Sequence, residues 1–310
     1  MTMDIMKSFE MLMKRSPILL DGAMGTNLIA AGMPMGCCAE AWMLAHEDAV
    51  MDIQRRYAEA GSQIIYAPTF TAQSERLKQH GLDMQTESIN ERLVQISRKA
   101  APKCLIAGSM TTLAGEINTR SEDCFSEMVH QYRRQIKGIK GGGADLIVGE
   151  TLLSSRDARA ILLAAKEEHA DGVMLSFALR EDGTLRSGEE TKIVFEMLEN
   201  EGALALGVNC VPVDDALPML IQRLRSYTSL PLICKPNAGR PIRQQNGTHT
   251  YPVDAQRFAD ILLRCADAGA DLIGGCCGTT PETIAAVAQR IYRADEGRGL
   301  AAFYRIYFLI

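Results

Sequence analysis

The chain has no excess of positive charge: 33 Lys and Arg stand against 38 Asp and Glu, a formal net charge of −5. With no basic face visible in sequence, nucleic acid is not expected as a partner. No apolar run approaches the roughly 18 residues that a membrane helix needs, and no membrane association is expected. The first residues, MTMDIMKSFEMLMKRSP, lack a secretory apolar core followed by a cleavage site. No Pro/Ser-rich linker breaks the chain, so a single domain over 1–310 is expected. The nine cysteines are odd in number and irregularly spaced, which excludes a secreted disulfide framework and points to the cytoplasm. Five histidines show no ligand spacing, although His249 lies near the loop after the seventh apolar run and could approach the strand ends. Gly141-Gly142-Gly143 precedes a strand rather than a helix and lacks a following Gly-Lys-Ser/Thr, so it is a turn and not a phosphate loop.

What is present is a repeated pattern: a short apolar run, a polar or glycine-rich stop, then an amphipathic helix. The 310 residues, 47% hydrophobic and 23% charged, can bury a large core. Eight apolar runs read as buried parallel strands: Ile18–Leu20, Gln63–Tyr66, Leu105–Ala107, Leu146–Val148, Val173–Phe177, Ala205–Val208, Leu232–Cys234 and Leu272–Ile273. Helices are expected between them, over Asp48–Ala60 and over Glu122–Lys140 with Ser121 as its cap. Ser155 is expected to cap another, Asp214 to open one, and Pro281-Glu282 to form a first turn after Thr279 or Thr280. Ala60-Gly61, Gly143-Ala144 and Gly269-Ala270 suit left-handed helix ends. Eight strands alternating with helices predict a single (β/α)8 TIM barrel, with a doubly wound open sheet as the alternative. The tail 297–310 (GRGLAAFYRIYFLI) is apolar and would pack on the barrel or form a homo-oligomer contact.

In such barrels chemistry sits where strands end. The first run is followed by Asp21-Gly22-Ala23-Met24-Gly25-Thr26, the fourth by Glu150-Thr151, and the sixth by Asn209-Cys210. The seventh is followed by Lys235-Pro236-Asn237-Ala238-Gly239 and the eighth by Gly274-Gly275-Cys276-Cys277-Gly278. Cys210, Cys276 and Cys277 therefore share one end of the barrel. The sixth and eighth strands flank the seventh, so their ends stand about 10 Å apart, a gap that inward thiols can bridge through one metal. Three thiolates suit zinc, and three protein ligands leave the fourth position open, as in catalytic sites. A substrate thiol entering there would bind as thiolate, ready to attack an electrophilic methyl group. On spacing alone, three separate small core residues remain the alternative, because a Cys-Cys pair is a weak metal motif. Cys37-Cys38 is a second such pair and is read as structural.

GVNC (Gly207–Cys210) followed by IGGCCGTTPE (Ile273–Glu282) resembles the homocysteine S-methyltransferase family. That family includes betaine- and S-methylmethionine-using enzymes and the N-terminal module of cobalamin-dependent methionine synthase. DGAMGT (Asp21–Thr26) and GADLIVGET (Gly143–Thr151) are similar to its first- and fourth-strand motifs, and KPNAGRP (Lys235–Pro241) looks most like the methionine synthase branch. The resemblance covers roughly residues 15–293. It implies a TIM barrel with Zn2+ on Cys210, Cys276 and Cys277, and Glu150 receiving the amino group of homocysteine. It implies that the loop of Asp21, Gly22, Ala23 and Met24 receives the carboxylate through backbone N–H groups. Asp21, being anionic, suits orienting the loop or the amino group. Asn209, beside a ligand, suits a hydrogen bond to the metal site or a structural role.

Two loops depart from the pattern. Gly108-Ser109-Met110-Thr111-Thr112 lacks the proline that relatives often carry there, and Pro68 stands where methionine synthase-like chains often carry Asn. Both border the open side of the barrel, so the methyl donor stays open: S-methylmethionine, betaine, or methylcobalamin on a separate corrinoid protein. A sulfonium or ammonium donor favours aromatic or acidic residues at the mouth, and aromatic content is only 5% with no clear cluster there. The expected function is zinc-dependent methylation of homocysteine to methionine. The alternatives are methylation of another thiol with a separate corrinoid protein, or a non-catalytic zinc-binding barrel subunit.

Overall fold

A computed structural model of the chain describes residues 5–15, 17–113, 122–244 and 247–297. The expected cap Ser121 and nearly all of the apolar tail, with the interface expected of it, lie outside these residues. All eight expected strands form, as β1 (Ile18–Leu19), β2 (Ile64–Ala67), β3 (Leu105–Met110), β4 (Leu146–Leu152), β5 (Val173–Phe177), β6 (Ala205–Pro212), β7 (Leu232–Asn237) and β10 (Leu272–Ile273). They pair in parallel in the order β1-β10-β7-β6-β5-β4-β3-β2. A parallel bridge between Leu20 and Ile64 joins the first strand to the second and closes the sheet into a barrel. The open-sheet alternative is thereby excluded. A two-stranded antiparallel ladder, β8 (Ile242–Arg243) with β9 (His249–Thr250), was not expected from sequence.

Strand side chains alternate between two faces. One set meets inside the barrel: Ile18, Leu20, Ile64, Tyr66, Ala107, Leu146, Val148, Met174, Ala205, Ile233 and Leu272 form one buried cluster. Helix α1 (Ile5–Met13) sends Phe9, 2% exposed, into the same cluster and closes the end of the barrel where the strands begin. The other set packs against the surrounding helices in a larger core, with Phe177, Phe195, Phe258 and Leu262 fully buried.

Helix ends follow local chemistry. The expected Asp48–Ala60 helix is α4 (Glu47–Glu59), and α7 spans Glu122–Gly141. Helix α8 (Ser155–Glu167) is capped by Ser154 rather than Ser155, because Ser154 Oγ accepts from the Asp157 N–H. Asp214 does not open a helix directly: its carboxylate accepts from the Ala216 N–H in a turn that precedes α10 (Leu217–Arg225). Helix α12 begins at Pro281 as expected, with Thr280 Oγ1 accepting from the Thr283 N–H. Gly61, Gly143 and Gly269 all have positive φ, as their places after helices require.

Candidate active site

The interior alternation continues past the apolar layers. After Ala107 comes Ser109, after Val148 comes Glu150, and after Met174 comes Ser176. After Ala205 and Gly207 comes Asn209, and after Ile233 comes Lys235. A polar floor therefore tops the apolar barrel interior at the end where the strands finish.

At that floor two strands break register. Strand β4 is irregular between Gly149 and Leu152, and β6 between Asn209 and Pro212. Thr151 and Cys210 sit at these breaks with φ of 58° each. Non-glycine residues avoid this left-handed region at a cost of roughly 1–2 kcal/mol, and such strain persists where the surroundings over-determine it. A regular strand would alternate Cys210 to the face opposite Asn209; the bulge re-aims it.

The Sγ atoms of Cys210, Cys276 and Cys277 all lie within 4.8 Å of one another. Cys276 Sγ is 3.7 Å from Cys210 Sγ, and none of the three is in a disulfide. In this cluster the thiols share charge unequally. Thiol donation from Cys210 and Cys276, with a further bond to the Tyr251 hydroxyl, holds Cys277 well below the ordinary thiol range. The same contacts push Cys210 far up. A cation would relieve this mutual repulsion. Asn237, 6% exposed, donates Nδ2 to the Cys210 carbonyl at 3.2 Å while its buried Oδ1 has no hydrogen-bond partner. Three soft sulfurs within 4.8 Å of one another form a donor set that fits zinc. Cys37 is exposed and Cys38 lies 3.6 Å from Glu40, and neither belongs to this group. His249 is exposed on β9.

Glycine makes the cysteine turn possible. A Cβ on Gly275 would stand 2.4 Å from Thr279 Oγ1, and one on Gly22 would stand 2.6 Å from the Tyr57 hydroxyl. These close approaches lock the Asp21–Met24 loop to the cysteine loop. Thr279 Oγ1 accepts from the Ala23 N–H at 3.0 Å and donates to the Cys276 carbonyl at 2.7 Å. The Tyr57 hydroxyl and Asn27 Nδ2 both donate to the Ala23 carbonyl. The Ala23 N–H is thus engaged within the fold.

Asp21 is 3% exposed and both its oxygens are engaged: Oδ1 pairs with Lys235 Nζ at 2.6 Å, and Oδ2 accepts from the Tyr66 N–H at 2.8 Å. The Lys235 ammonium also lies 3.7 Å from the centre of the Tyr66 ring. Burial pushes the Asp21 carboxyl up while Lys235 opposes it. Glu150 Oε1 accepts from the Ser109 hydroxyl at 2.6 Å. Burial raises Glu150 to about 7 despite the nearby Lys235.

Sequence reading gave no part in the site's chemistry to Lys235, Asn237, Tyr57, Thr279 or Tyr251. Lys235 carried a usable signal, being the one charge in step with the inward residue Ile233. Tyr57 carried none, since it comes from α4, far from any motif.

The homocysteine S-methyltransferase family model matches residues 18–291, most of the chain. The chain belongs to the homocysteine S-methyltransferase family. Members similar to it include the homocysteine S-methyltransferase of Escherichia coli, 30% identical over 89% of this chain and 96% of that protein. Methionine synthase of Mycobacterium leprae is 26% identical over 89% of this chain, which spans 24% of that longer protein. Among solved structures, the metallated form of the E. coli homocysteine methyltransferase MmuM superposes with a TM-score of 0.77 at 26% identity, covering 93% of this chain and all of that one. Its oxidised form gives 0.79 at 27%, with the same coverage. The carboxyl transferase domain of Rhizobium etli pyruvate carboxylase, at 17% identity and a TM-score of 0.55, shares the fold alone.

Proposed function

We propose that this family member transfers a methyl group to the thiol of homocysteine, forming methionine, with zinc held by Cys210, Cys276 and Cys277. The observation that carries the reading is the meeting of three thiols within 4.8 Å on a floor that also holds Glu150. Zinc in that sulfur set would lower the pKa of an entering thiol and hold it as a nucleophile without redox chemistry. The names of the E. coli relatives, one of them solved in metallated form, support both substrate and metal.

The protein's own groups then have distinct tasks. Glu150 Oε1 is committed to Ser109, so Oε2 is the acceptor for the substrate ammonium. Ammonium binding favours the ionised carboxylate, so Glu150 gives up its proton as the substrate enters. Asp21 is spent on Lys235 and Tyr66 and fixes the loop of Gly22, Ala23 and Met24 rather than touching the substrate. Tyr251 steadies Cys277 through its hydroxyl. The sulfur lone pair of homocysteine forms the new S–C bond as the methyl carbon parts from its donor, which leaves with the bonding electrons. The match to a quarter of a methionine synthase favours methylcobalamin on a separate corrinoid protein as one donor to test, beside S-methylmethionine and betaine. Nine free cysteines suit a reducing cytoplasm, and the whole of 1–310 is read as one domain.

The test is incubation of the zinc-loaded protein with homocysteine and each donor, with methionine measured by mass spectrometry. Methionine with one donor supports the reading and fixes the branch; none with any donor, corrinoid protein included, overturns it. Cys276→Ala is expected to lose most bound zinc by elemental analysis, and stoichiometric zinc in that variant would refute the ligand set.

A further inference from the structure

Asn209 is fully buried and touches three strand ends. Its Oδ1 accepts from the Thr151 N–H at 2.8 Å and from the Ser176 hydroxyl at 2.9 Å. Its Nδ2 donates to Thr151 Oγ1 at 2.7 Å and reaches Cys276 Sγ at 3.9 Å. Strands β4 and β6 are not neighbours, because β5 lies between them. One side-chain amide therefore ties the end of β4 to the end of β6 across a third strand. Thr151 and Cys210 are placed alike. Thr151 follows Glu150 and Cys210 follows Asn209, both at register breaks and both at φ 58°.

Resting on the function proposed above, we propose that Asn209 and Thr151 form a positioning clamp that sets the span between the Glu150 carboxylate and the three sulfurs, and so selects the substrate thiol by its length. Asn209 grips Thr151 at two points, N–H and hydroxyl, which fixes rotation as well as position. A β-branched residue in the left-handed region returns to ordinary strand geometry unless it is held there. Release of Thr151 swings the adjacent Glu150, while the sulfurs, carried by β6 and the loop after β10, keep their places. On this proposal a clamp that fixes the span would favour an amino acid with two methylenes between its α-carbon and sulfur over cysteine, which is one methylene shorter.

The test uses the full-length protein loaded with Co(II), whose thiolate absorption reports each thiol that binds. Thr151→Val removes the hydroxyl and keeps both N–H and β-branching; Thr151→Ser keeps the hydroxyl. Each variant is titrated with homocysteine, cysteine and 4-mercaptobutyrate, which is homocysteine without its amino group. Thr151→Val is expected to weaken homocysteine about five- to tenfold, the scale of one net hydrogen bond. The same variant should leave 4-mercaptobutyrate unchanged and narrow the preference over cysteine. Thr151→Ser should match the wild type, and in a Glu150→Ala background Thr151→Val should add nothing. Equal weakening of homocysteine and 4-mercaptobutyrate would show general loosening and overturn the clamp, as would no change for either. Failure of the wild type to take up cobalt or bind homocysteine would instead overturn the proposed function on which the clamp rests.

Discussion

Replacing Lys235 by Met tests the interior charge balance most directly. Lys235 and Asp21 are 3% and 4% exposed at their side chains and 2.6 Å apart. Met retains much of the apolar stem but removes the ammonium, leaving Asp21 as a buried charge with only the Tyr66 N–H opposing it. Breaking one side of a buried pair costs about 3–5 kcal/mol, a large share of the roughly 5–15 kcal/mol that stabilises a domain. The loss of Lys235 from the Tyr66 ring adds to this. Thermal unfolding is expected to fall by on the order of 10 °C. The pH dependence gives the signature. Asp21 already sits above its usual value through burial, and Lys235 is the main group holding it down. In Lys235→Met the folded state keeps a proton on Asp21 at pH values where the unfolded chain has lost it. Stability then falls as pH rises, so the deficit relative to wild type shrinks on acidification toward pH about 4. The paired variant Asp21→Asn/Lys235→Met removes both charges and should recover most of the loss. Urea unfolding from pH 4 to 8 measures all three proteins. A deficit under about 1 kcal/mol at neutral pH, or a double variant no better than the single, would refute the reasoning.

Glu150→Gln should flatten another pH dependence. Because burial raises Glu150 from 4.5 to about 7, the metal-free folded protein holds a proton there that the unfolded chain releases first. Wild-type stability therefore drops relative to Glu150→Gln as pH rises from about 4.5 to 7, by at most about 3 kcal/mol, measured by denaturant titration. Gly22→Ala drives a methyl group to within 2.6 Å of the Tyr57 hydroxyl and 2.7 Å of Thr279 Oγ1. It should cost about 1–3 kcal/mol in thermal unfolding and raise KM for homocysteine, and unchanged values for both would remove the loop lock.

Much of the architecture was legible because buried parallel strands must be apolar on both faces. All eight runs formed strands, yet β3, β4, β6 and β7 extend beyond their expected ends. The extra residues include Ser109, Glu150, Asn209 and Lys235, whose polarity reads as a strand stop although each is the next inward residue of its strand. Polarity thus concealed the strand ends while marking the chemistry. The thiol cluster was legible from topology, since the sixth and eighth strands must flank the seventh. The partners of Asp21 were not, because a buried ion pair 214 residues apart in sequence leaves no local pattern. The β8–β9 ladder, two exposed residues on each side, offers no alternation long enough to read.

The short strands beside the site have a mechanical consequence. β1 and β10 have two residues each, and β1 meets β2 through a single bridge at Leu20. Along this seam side chains add to the backbone bond from the Gln63 N–H to the Leu19 carbonyl: Gln63 Oε1 accepts from the Leu19 N–H, Ser62 donates to the Leu20 carbonyl, and Tyr57, Asn27 and Thr279 bind the loop beyond. Subglobal opening should start here, at a free energy below that of complete unfolding. Such breathing would part the Asp21 loop from the cysteine loop while the longer ladders from β3 to β7 stay paired. Whatever ties those two loops together from within, ligand or ion, then acts as a clasp on the whole barrel, coupling occupancy of the mouth to how often the wall opens.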